Sequence, residues 1–195
     1  MSKPSHIALV AAVAALVAAA PFSTHPRAAT ARTPALTTQS QPAATLNDPT
    51  IVAIFDAANT WDIEAGALAV QKSRNQDVRT FARMMERDHR VARQLGRDLA
   101  HKLQVTPTPP GKDFALYQDH VKAMQTLRVA RGAAFDTSYI NHEVAYHQAV
   151  IDAVTTQLLP ATQNAELKDL EVKVAPNFQA HLAAAKAVQQ KLASR

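Results

Sequence analysis

The chain has 195 residues, 47% of them apolar, with only four Gly, no Cys and a formal net charge of +5. The lack of Cys excludes disulfides, thiolate metal sites and a cysteine nucleophile. Mild basicity with few aromatics gives no support to nucleic-acid binding, and low Gly with long Ala-rich periodic runs points to one helical domain.

Residues 1–31, MSKPSHIALVAAVAALVAAAPFSTHPRAATA, carry one Lys, an apolar run from Ile7 to Ala20 and a polar stretch ending in small residues. That order is the pattern of a secretory signal, cleaved after Ala31. Its fourteen apolar residues fall short of the roughly 20 that a spanning helix needs, so no stable membrane span is expected after cleavage. Removing Lys3 and Arg27, and no acid, lowers the net charge from +5 to +3. The remainder is expected outside the cytoplasm, in the periplasm of the cell envelope.

Residues 32–47, rich in Thr, Gln, Ser, Pro and Ala without periodicity, read as a flexible tether. The folded domain, residues 48–195, should begin at Asn47-Asp48-Pro49, a cap followed by a first-turn proline. Helices are predicted from there to about Lys72, from Gln76 to Gln104 and, after the proline-rich Val105–Gly111, from Lys112 to Ala130. A fourth should run from Phe135 to Leu159, stopped by Pro160, and a fifth from Asn164 to Ser194 with a bend near Pro176. Four long helices and one shorter one, with tight turns, imply an antiparallel four-helix bundle.

At about 100° per residue, Val78, Phe81, Ala82, Met85 and Ala92 set the inner face of the second helix. Asp88 and His89 flank that direction, Glu86 lies off it, and the arginines from Arg79 to Arg97 point outward. His147 interrupts the apolar stripe of the fourth helix, and Glu143 sits one turn before it. His181 lies on the centre line of the fifth. On the first helix Asp62 and Glu64 occupy the two shoulders of the stripe that includes Trp61.

Three helices thus aim a histidine at one interior, with Asp62, Glu64, Asp88 and Glu143 within reach. Buried carboxylates must be paired, protonated or bound to an ion, and imidazoles with carboxylates are ligands for zinc, copper or iron. The competing expectation is that each histidine is a hydrogen-bonded core residue.

A two-metal carboxylate centre is disfavoured. Such a centre needs two inward ExxH pairs, whereas Glu86 of Glu86-His89 is peripheral and Phe178 stands three before His181. The expected site is therefore a single transition-metal ion. Tyr139 and Tyr146 read as core aromatics with bonded hydroxyls, Met85 as core filler, and His101 and His120 have no partner by spacing. Counted across the Pro160 turn, His181 falls nearer the level of His142 than of His147.

The segments WDIEAGALAVQKSRNQDVRTFARMMERDH (Trp61 to His89), FDTSYINHEVAYH (Phe135 to His147) and PNFQAHLAAA (Pro176 to Ala185) resemble, in this order, an exported bacterial family, domain of unknown function 4142. The resemblance spans about Asp48 to Leu192 and implies export and an all-α, ferritin-like bundle. By position it carries Asp62, Glu64, Asp88, His89, Phe135, Asp136, Tyr139, His147, Pro176 and His181, and it implies no reaction. Binding of a metal ion for storage, sensing or redox protection is the functional expectation, in preference to an enzyme. A non-catalytic structural or stress-related module without metal is the alternative, and no oligomeric state can be read from the chain.

Overall fold

The computed structural model describes residues 46–112 and 114–194, so the expected signal and most of the tether lie outside the described residues. The fold is all-α. Helix α1 spans Asp48–Lys72, α2 Gln76–Lys102, α3 Ala115–Val129 and α4 Gly132–Ala153. Helix α4 runs on through a π turn, Val154–Leu158, into the short α5, Leu159–Ala161, and α6 covers Ala165–Ala193.

Local chemistry starts the helices where the chain proposes. Asn47 accepts from Thr50 N at 3.0 Å with Pro49 in the first turn of α1. Asn75 accepts from the amides of Asp77 and Val78, and Asn164 from those of Glu166 and Leu167. Each cap satisfies amides that have no partner inside the helix. The Asp48 carboxylate also accepts from Gln163 N and Asn164 N at 2.8 and 2.9 Å, tying the start of α1 to the turn before α6.

Helix α1 packs along α2 and α4 along α6, with α2 also against α6, while α3 makes slighter contacts with α1 and α4. Gly96 marks one close approach: a Cβ there would lie 2.6 Å from a Phe55 ring carbon. Three apolar zones result. One gathers Ala65, Phe81, Met85, Leu127, Phe135 and Ile140, another Ile51, Ile54, Ala100, Val154, Leu158 and Leu167, and a smaller one Leu170, Val174 and Phe178. A buried polar layer containing His89, Glu143 and His147 lies among them. Among the described residues no helix is long and apolar enough to cross a membrane.

Two expectations are corrected. Pro160 does not end the helical path, because the π turn precedes it and it occupies the first turn of α5, where its missing amide has no helical partner to lose. The reversal therefore centres on Thr162–Asn164, later than Pro160. About that pivot His181 matches His147 rather than His142, and their ring centroids are 5.4 Å apart. Pro176 sits within the continuous α6.

Candidate metal centre

Helix α2 delivers His89 one turn after the fully buried Met85, and its side chain is 2% exposed. Its Nδ1 lies 2.9 Å from Asn59 Oδ1 on α1, while the Asn59 amide nitrogen donates to Phe55 O at 2.8 Å. The second bond orients the amide so that oxygen faces the ring. An amide oxygen only accepts, so His89 Nδ1 carries the proton and Nε2 presents its lone pair.

The same logic holds on the other two helices. His147 Nδ1 donates to the Glu143 carbonyl oxygen at 3.0 Å. His181 Nε2 donates to Asp88 Oδ2 at 3.1 Å, and Asp88 also accepts from Arg87 at 2.8 Å. The opposite nitrogens, His89 Nε2, His147 Nε2 and His181 Nδ1, are buried without a hydrogen-bond partner among the described residues.

The three rings form a nearly equilateral triangle, with centroids 5.6, 5.0 and 5.4 Å apart. One ring nitrogen of each lies within 4.8 Å of the other two. A tetrahedral ion at about 2.1 Å needs nitrogens about 3.4 Å apart, so each ring would draw inward by less than about 1 Å.

All three imidazoles are held neutral. Burial, then His147 and His181, presses His89 well below the usual histidine range. Burial, then His181, pushes His147 down to about 3. Burial also lowers His181, against the opposing pull of Asp88. Neutral imidazole is the form that ligates metals.

Beside the triangle lies a carboxyl pair. Asp62, Glu143 and His147 each bring a ligand atom within 4.8 Å of the others, with His147 Nδ1 3.4 Å from Glu143 Oε2 and His89 Nδ1 3.5 Å from Asp62 Oδ2. Burial pushes Glu143 up to about 8, and burial followed by the charge of Glu143 raises Asp62 well above the carboxylate range. A proton between the two acids would satisfy some of their otherwise unpartnered oxygens. Among the described residues no group does the same for the imidazole lone pairs.

Of the sequence candidates, His89, His147, His181, Asp62 and Glu143 come together. Asp88 stands just outside, half-buried, and burial, which would raise its pKa, is outweighed by hydrogen bonds from Arg87 and His181 that hold it below the usual range. Glu64 does not join. It is 52% exposed, 3.5 Å from His120 Nε2, because two residues along a helix turn the side chain about 200° from Asp62.

His120, without an expected partner, is buried and stacked on Trp61, with centroids 5.1 Å apart. Tyr146 donates to Ala58 O at 3.2 Å, and the Tyr139 hydroxyl is fully buried beside Glu143. Asn59 was missed. Its sequence signal is its spacing, three before Asp62 on the same face of α1.

The profile of the family described as Domain of unknown function (DUF4142) matches residues 33–188. No curated protein sequence matches the chain. Among solved structures the chain is similar to one titled "CopM in the Cu(II)-bound form", at 18% identity and a TM-score of 0.56, covering 74% of this chain and 98% of that one. At that identity the likeness concerns the helical fold alone.

Proposed function

The chain belongs to the family Domain of unknown function (DUF4142), and from that premise we propose that it binds a single transition-metal ion through His89, His147 and His181. Asp62 and Glu143 lie beside the ion as a carboxyl pair, in an antiparallel, ferritin-like four-helix bundle. One observation carries the reading: a ring nitrogen of each buried imidazole lies within 4.8 Å of the other two, and each ring keeps one nitrogen without a partner among the described residues while the opposite nitrogen is held as a donor by Asn59, the Glu143 carbonyl or Asp88. Acceptors behind metal-binding histidines fix the tautomer and raise ligand basicity. Leaving such atoms unpaired costs about 1–3 kcal/mol each, which a cation offsets.

Imidazole suits copper, zinc and iron, and copper(II) heads the affinity order for divalent ions. The similar fold whose title names bound Cu(II) agrees with testing copper first. Residues 1–31 act in this proposal as an export signal and 32–47 as a tether, which puts the domain in the periplasm. The role is binding, for storage, sensing or redox protection, rather than turnover.

The test is elemental analysis of the chain purified without chelator or His tag, beside a His147→Ala, His181→Ala double variant. Near one copper, zinc or iron per chain, absent from the variant, is the expected result. No metal in the parent, and no uptake of added copper(II), zinc(II) or iron(II), overturns it in favour of a structural module with polar core networks.

A further inference from the structure

A cavity of about 260 Å³ opens beside the histidine layer, between α1, the start of α3 and the stretch where α4 passes into its π turn. Its walls are apolar, with Ile54, Phe55, Val150, Val154 and Phe178 among them. Its floor is polar: Asn59, Asp62, His89 and His147 reach it from the buried layer. The rim carries the exposed Asp119 of α3 and Gln157 of the π turn. Asp62 is buried there beside Glu143.

Size and chemistry narrow the occupant. A dry cavity of about 150 Å³ accepts benzene, so this one has room for one ring and a substituent. Apolar walls with a few convergent polar groups at one end are the usual design of a small-molecule site. Apolar walls give an anion no compensating partner, and the exposed Asp119 at the rim repels it. The π turn contributes Val154, Gln157 and Leu158 to the lining, and such turns inside α-helices occur frequently at functional sites.

We infer that this cavity binds a small uncharged molecule with a one-ring apolar body and at most one small polar substituent, its ring against the apolar walls. The site needs no metal to form and so goes beyond the metal-binding reading. If both hold, the molecule lies against two of the three proposed ligands, His89 and His147.

The test uses the full chain, freed of metal by chelation, with phenol as probe and benzoate as its charged counterpart. Phenol is expected to bind with a Kd of about 1 mM, with NMR contacts from its ring protons to the methyls of Val150 and Val154. Benzoate should bind at least about tenfold more weakly, and Ala153→Phe, which fills the wall, should weaken phenol by about tenfold or more. The methyl contacts in the parent decide the case if that variant does not fold. No phenol binding at about 10 mM, contacts elsewhere, or equal binding of benzoate overturns the inference. Because the measurement is made without metal, its failure leaves the metal proposal standing, and the reverse.

Discussion

Two histidine neighbourhoods flank α1, and they are built differently. In the His89–His147–His181 triangle, three rings from three helices each have one nitrogen committed to a fixed acceptor and one lone pair left over. At His120 a single buried ring stacks on Trp61 at 15°, and its Nε2 lies 3.5 Å from the half-exposed Glu64. Burial lowers the pKa of His120 as well, with Glu64 opposing. Both places hold a neutral, buried histidine beside an acid, yet only the first brings three imidazoles within metal-binding reach of one another. Convergence, rather than the number of histidines, is what a cation requires.

The largest separation between the two should come from removing a ligand. His147→Ala is expected to weaken copper(II) or zinc(II) by at least about 100-fold, more than outer-shell changes cost. His120→Ala should leave the affinity within about threefold. Competition titration against a chelator of known affinity measures both, and equal losses would erase the distinction drawn here.

The acceptors behind the rings come next. Asn59→Leu removes the group that fixes the His89 tautomer, and Asp88→Asn removes the charge behind His181. Each should lower affinity about 10–100-fold with all three histidines intact. If Asn59→Leu matches the parent in the same titration, the tautomer argument fails while the triangle itself survives.

The carboxyl pair predicts a smaller, pH-dependent effect on the metal-free chain. Glu143 is held at about 8 by burial in the folded state, above its ordinary value near 4.5. Between those values the native chain therefore holds more protons than the unfolded chain. Stability from this group is fully present below the lower value and is lost as pH rises through the upper one. The histidines act with the opposite sign: their depressed values mean that stability is lost on acidification below about 6.5. Urea unfolding across this range should show the parent losing ground to Glu143→Gln as pH rises. The variant's profile should be flatter rather than flat, since burial raises Asp62 too. Parallel profiles would mean that Glu143 is ionised in the fold.

The helices, and the starts of α1, α2 and α6, were legible because the caps Asn47, Asn75 and Asn164 and the 3.6-residue stripes are local signals, whereas α3 and α4, which begin without a side-chain cap, start three residues from the expected Lys112 and Phe135. The inward turn of His89, His147 and His181 followed from the same periodicity. The level at which they meet did not, because it depends on a π turn and on Pro160 being absorbed into α5, and neither leaves a periodic trace. Glu64 was misplaced because two shoulders of one stripe look equivalent until a neighbour covers one of them, and α4 brings Glu143 against Asp62. Asn59 escaped notice because an amide beside an apolar stripe reads as a boundary residue. Only the His89 ring 2.9 Å away gives it a role.

The smallest effect tests the second neighbourhood on its own terms. Trp61 is half-buried, stacked on His120 and 6.0 Å from the Tyr117 ring in a tilted arrangement. Trp61→Leu keeps an apolar side chain on α1 but removes both aromatic contacts. A loss of about 0.5–1.5 kcal/mol in unfolding free energy is expected, measured by urea denaturation with and without bound metal. The increment of stability that the metal supplies depends only on its affinity and concentration, so it should be the same in parent and variant. A smaller increment in Trp61→Leu would mean that the two neighbourhoods communicate through α1, which carries Asn59 and Asp62 on one face and Trp61 between them in sequence.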